Sequence, residues 1–193
     1  MKKLLLVASV AAAISLINTA SAATNGTVTF SGKLNDQTCQ VVLNNGTSSN
    51  GTVTMPAVSK DNIPAKYSTA GITPFTLNLK DCKASTTPFG ILAYFPPTTY
   101  TQLIGNWGFL KNLETGSEAA SGVYLSIYQK VGATEKRVNV GTLITDPSYQ
   151  YTTVAANATT ATLEYSVRYM NYSSGAIKAG KVRGIAVYEL AYQ

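Results

Sequence analysis

Thr27-Val28-Thr29-Phe30-Ser31-Gly32-Lys33-Leu34 ends five residues ahead of Cys39, and its reading decides the fold. Val28, Phe30, Gly32 and Leu34 fall on alternate positions, so an extended chain presents all four on one face. A strand of that kind completes a sheet. The sheet can be its own, as an ordinary first strand, or that of another molecule.

Upstream of this stretch, Met1-Lys2-Lys3 gives a positive start and Leu4 to Ile17 is apolar apart from Ser9 and Ser15. Ala20-Ser21-Ala22 then fits the small-x-small cleavage rule. The expectation is an export signal over residues 1–22, cut between Ala22 and Ala23. The apolar run is shorter than the roughly 20 residues a membrane helix requires. No later stretch reaches that length, so no membrane insertion is expected. Residues 23–193 have the length of one domain.

The chain carries 15 basic and 9 acidic residues and no histidine. Its lysines and arginines are scattered, without the basic runs or aromatic ladders that grip phosphates, so nucleic-acid binding is not expected. Lack of histidine removes Ser-His-Asp and Cys-His machinery and His-based metal sites. The carboxylates stand singly. No enzyme and no cofactor are expected. Cys39 and Cys82 are the two cysteines, and behind an export signal they should pair. Closing that loop is worth about 4 kcal/mol in the chain-entropy account.

Period-two alternation recurs along the rest of the chain. Phe75 to Leu79 alternates. Gly90 to Phe95 is almost wholly apolar and stops at Pro96-Pro97, as in a strand buried on both faces. Val123 to Tyr128 is rich in β-branched and aromatic residues, and Leu163, Tyr165, Val167 and Tyr169 alternate with Glu164, Ser166 and Arg168. Val182 to Tyr192 is apolar on both faces and should lie inside the structure. Turn residues such as Asn44-Asn45-Gly46, Asp146-Pro147 and Ser173-Ser174-Gly175 punctuate these runs. Only Glu114 to Ser121 has room for a helical turn. The class is all-β, a sandwich of immunoglobulin type. In such a sandwich a further strand follows the last one, and here Gln193 is the final residue. The pattern has one strand in excess at its start and one too few at its end, an arrangement that invites strand addition.

Taken together, Gly26 to Leu34 leading to Cys39, Phe75-Thr76-Leu77-Asn78-Leu79-Lys80-Asp81-Cys82, Val167-Arg168-Tyr169 and Tyr188-Glu189-Leu190-Ala191-Tyr192-Gln193 resemble subunits of chaperone–usher fimbriae of the type 1 kind. The resemblance runs over essentially all of residues 23–193. It implies an incomplete immunoglobulin-like sandwich, six strands with the seventh missing, over residues 36–193, preceded by a donor-strand extension over 23–35. It implies a structural pilus subunit, of the major shaft kind, that contributes to cell adhesion. Such a subunit is exported to the periplasm and ends in a fimbrium on the cell surface. Its implied partners are a periplasmic chaperone, an outer-membrane usher, and other pilins including copies of itself. By position, Val28, Phe30, Gly32 and Leu34 match the donor residues. Tyr188, Leu190 and Tyr192 match a wall of the acceptor groove, and Cys39 and Cys82 match the family's disulfide. The segment Asn44 to Ala70 and the loop Thr98 to Gly122 match no particular subunit. The competing reading is a secreted carbohydrate-binding sandwich, with Tyr94, Tyr100, Trp107, Tyr149 and Tyr151 as stacking surfaces.

Overall fold

Ten strands in two sheets make up the computed structural model, which describes Thr29, Asp36 and residues 38–193. The strands are β1 (Gln40–Leu43), β2 (Thr69–Lys80), β3 (Phe89–Tyr94), β4 (Thr101–Ile104), β5 (Trp107–Leu110), β6 (Val123–Val131), β7 (Thr134–Val138), β8 (Thr152–Val154), β9 (Ala161–Asn171) and β10 (Glu189–Tyr192). The larger sheet runs β1-β2-β9-β6-β5-β4, with β7 also on β6; the smaller runs β10-β3-β8. Every strand-to-strand ladder is antiparallel. The strand segments outnumber the six expected because short hairpins, β4–β5 and β6–β7, add to the larger sheet. The architecture is the expected all-β, incomplete immunoglobulin-like sandwich.

Alternation in sequence becomes burial between the sheets. Leu77 and Leu79 of β2, Leu125 and Ile127 of β6, and Leu163, Tyr165 and Val167 of β9 face Ile91 and Ala93 of β3 in one core. The apolar run of β3 is buried on both faces as expected: Ile91, Leu92 and Ala93 are at most 1% exposed. Tyr165 is buried without loss because its hydroxyl accepts from the Ala93 N–H at 3.3 Å, tying the two sheets together. Gln129, also buried, exchanges two hydrogen bonds with the Gln150 backbone.

Two expectations fail. Glu114 to Ser121 forms no helix; it holds a turn and two isolated bridges, Ala119 to Lys181 and Ser121 to Lys178. The sole helical element among the described residues is a 3-10 turn at Lys60–Asn62, where the Ser59 hydroxyl accepts from the Asp61 N–H. The last apolar run does not lie inside. Only Glu189–Tyr192 forms a strand, at an edge of the smaller sheet, and Ile185 and Val187 are exposed. Apolar character on both faces is thus not a record of burial within this chain alone.

Candidate functional site: an open edge between the sheets

β1 ends the larger sheet and β10 ends the smaller one. Two hydrogen bonds show that these edges lie on the same side of the sandwich. The Tyr188 hydroxyl donates to the Ser49 carbonyl at 2.9 Å, and the Cys39 N–H donates to the Tyr192 hydroxyl at 3.2 Å. Tyr188, Leu190 and Tyr192 alternate along the C-terminal segment and pack half-buried against the core, beside Phe95 and Phe89. β10 is held by β3, with Leu190 opposite Ala93 and Tyr192 opposite Ile91. Its other side has no strand partner among the described residues.

A second segment lines the same edge. Gly51 to Val58 carries no strand pairing, and Val53 and Met55 alternate with Thr52 and Thr54, packing against the core. Val182 to Tyr188, on the opposite side, is likewise without strand pairing. No backbone hydrogen bond joins Gly51–Val58 to Val182–Gln193 among the described residues. The links between the edges are instead tyrosine side chains, and strands paired directly would lie only about 4.8 Å apart. Val53, Met55, Tyr188, Leu190 and Tyr192 line this edge and pack partly buried against the core.

At one end the edge opens into a cavity of about 280 Å³ lined by Met55, Val58, Ile63, Val123, Ile177 and Val182. Tyr169 closes its side, its hydroxyl donating to the Pro56 carbonyl at 3.2 Å. Gly184 lies where a side chain has no room: a Cβ there would come within 2.8 Å of Leu125 Cδ1. The C-terminal segment therefore rests its backbone directly on the core. Burial raises the Tyr188 and Tyr192 phenols above their usual pKa, the hydrogen bond from Cys39 partly offsetting this at Tyr192. Both stay protonated and keep their bonds at neutral pH.

A disulfide joins Cys39, immediately before β1, to Cys82, two residues after β2. It fixes the end of the edge where Tyr192 meets the chain. Val28, Phe30, Gly32 and Leu34 lie outside the described residues, as do Ala22 and Ala23. The five aromatic residues of the saccharide reading are not brought together. Tyr149 is buried and donates to the Phe95 carbonyl, Tyr94 stacks edge-on against it, and Tyr151 packs near Gly90. Trp107 meets Tyr67 and Phe109 instead. Val53, Met55 and Val58, which sequence reading passed over, are part of the edge; the alternation of Thr52-Val53-Thr54-Met55 was the available signal.

A family model described as fimbrial protein matches residues 28–193. The F17 fimbrial protein of Escherichia coli is 34% identical over 195 residues, covering 100% of both chains. A major fimbrial subunit of Haemophilus influenzae is 30% identical over 196 residues, 90% of this chain and 89% of the relative. Among solved structures, a chaperone–usher pilus subunit matches with a TM-score of 0.53 at 18% identity, over 89% of this chain and 98% of its own. That last likeness is one of fold.

Proposed function

Since the chain belongs to the fimbrial protein family, we propose that it is a chaperone–usher pilin that polymerises by donor-strand exchange, its own residues 23–35 completing the open edge of the next subunit. The observation that carries this reading is the pair of segments without strand pairing, Gly51–Val58 and Val182–Tyr188, at an edge where Tyr188 bonds the Ser49 carbonyl. Main-chain hydrogen bonds along Val182 to Tyr192 hold the donor, and alternate side chains fix its register. Val28, Phe30 and Leu34 enter the apolar lining, and Gly32 passes where a neighbour presses on the donor backbone. Phe30 contributes most, since burying one large apolar side chain is worth roughly 1.5–3 kcal/mol. The contact is head-to-tail and does not close on itself, so it builds a filament.

In this reading residues 1–22 direct export and are removed, residues 36–193 form the domain, and a periplasmic chaperone covers the edge until an outer-membrane usher exchanges it for a donor. The subunit belongs to the shaft of a surface fimbrium and contributes to adhesion through it. The experiment is a chain lacking residues 23–35. It should bind a periplasmic chaperone and accept a donor, yet cap every filament it joins. Full-length filaments from that chain alone would overturn the proposal.

A further inference from the structure

The outward face of the larger sheet carries an aromatic layer that strand exchange does not use. Phe109 of β5, Ser126 of β6 and Met170 of β9 lie on this face yet are at most 1% exposed. Around Phe109 stand Tyr67, Trp107, Tyr124 and Tyr172, whose rings meet one another or Phe109 at 4.7–6.4 Å. Tyr67 and Trp107, centroids 4.7 Å apart and nearly edge to face, remain 46% and 36% exposed. Tyr67 is held at φ 72, a conformation bulky residues rarely adopt. The fold spends backbone strain to set this ring against Trp107.

Two cations flank the exposed rings. The Arg137 guanidinium lies 4.0 Å from the Trp107 centroid, and Lys66 Nζ lies 4.6 Å from that of Tyr172 and 5.2 Å from that of Tyr67. Neither has a carboxylate partner among the described residues. Arg137 Nε is buried without a hydrogen bond among the described residues, while Nη2 of the same guanidinium donates to Asn139 Oδ1 at 3.4 Å. Elsewhere six of the nine carboxylates are already ion-paired. Asp81, Asp146 and Glu189 are the carboxylates without an ion pair among the described residues. Lys66 and Tyr67 lie in the loop before β2, Trp107 opens β5 and Arg137 lies on β7, so the patch meets a ligand with side chains from three separate segments. What fits is a ligand with apolar faces, polar rims and negative charge.

We propose that the face formed by Tyr67, Trp107, Lys66 and Arg137 binds an acidic saccharide. Sugar C–H faces lie on the exposed rings, whose π faces carry partial negative charge, and a carboxylate or sulfate meets the two cations. Trp107 is the single tryptophan of the chain, so its fluorescence reports on this face alone.

The test titrates purified fimbriae with oligosialic acid, with a heparin-derived octasaccharide and with neutral maltooctaose, reading Trp107 emission. The expected result is a saturable change with one or both acidic chains and none with the neutral one; which acid binds distinguishes carboxylate from sulfate recognition. Arg137→Gln and Lys66→Gln should each weaken binding about fivefold, Arg137→Lys far less, and Lys80→Gln not at all. Three results would overturn the proposal. One is unchanged emission with both acids. Another is equal weakening by Lys80→Gln, which would mean net charge alone. The third is Trp107 shielded from acrylamide in fimbriae but open in the dissociated subunit, which would place another copy on this face.

Discussion

The Tyr188 hydroxyl and the Ser49 carbonyl, 2.9 Å apart, join the C-terminal segment to the chain following β1 across the open edge of the sandwich. The bond links the two edges where no backbone ladder joins them among the described residues.

Tyr188→Phe should therefore lower subunit stability by about 1 kcal/mol, the net worth of one hydrogen bond, measured as a shift in thermal denaturation. The raised phenol adds a pH signature. A group whose pKa is higher folded than unfolded contributes fully below the unfolded value, about 10 for tyrosine, and loses that contribution as pH rises through the folded one. Destabilisation above pH 10 should thus be smaller in Tyr188→Phe than in the parent, followed by tyrosinate absorbance during alkaline titration.

Replacing both Cys39 and Cys82 by Ser should cost about 4 kcal/mol, from the unfolded-state entropy restored to a loop of sequence separation 43. Guanidinium denaturation of oxidised, reduced and doubly substituted protein checks this. Reduced parent and double variant should coincide.

Two hairpin glycines differ in kind. A Cβ at Gly108 would come 1.8 Å from the Val140 carbonyl oxygen, so main chain would have to move, and Gly108→Ala should cost at least about 3 kcal/mol. Gly105 has open space around it and φ +60, so Gly105→Ala should cost only the left-handed penalty of about 1–2 kcal/mol. Soluble yield and denaturation midpoint of the two variants should separate accordingly.

Glu135 pairs with Arg168, whose guanidinium also lies 3.8 Å from the Tyr128 ring centroid. The bond to Arg168 is the main reason the Glu135 carboxyl titrates below its usual value, burial opposing it and Ser166 assisting. Its contribution is present above the ordinary carboxylate pKa of about 4.3 and is lost as pH falls through the lowered folded value. Glu135 is 39% exposed, so screening limits the effect to about 1 kcal/mol or less. Glu135→Gln should be less stable than the parent at pH 7 and nearly equal to it near pH 2.

The strands of the core were legible because their burial is one-sided or complete within the chain: β2, β3, β6 and β9 all fall where alternation or an apolar run places them. The last strand was misread for a physical reason. Apolar residues on both faces of Val182 to Tyr192 point to burial, yet Ile185 and Val187 stay exposed within the chain. Gly51 to Val58 was missed because Pro56 and neighbouring turn residues hide a short alternation. The aromatic face was missed because Tyr67, Trp107 and Tyr172 come together only through sheet pairing and a loop at positive φ, and no spacing in sequence encodes that.

The central claim is that residues 23–35 of one subunit complete the edge of another. Fimbriae assembled from an equal mixture of unlabelled and isotope-labelled chains, each with benzoylphenylalanine in place of Phe30, test it most directly. After irradiation, mass spectrometry of crosslinked peptides should show Phe30-position adducts on Gly51–Val58 or Val182–Tyr192 that join labelled to unlabelled chains in half of all cases. Adducts joining only like-labelled peptides would mean that each chain completes its own sheet, and would contradict the account.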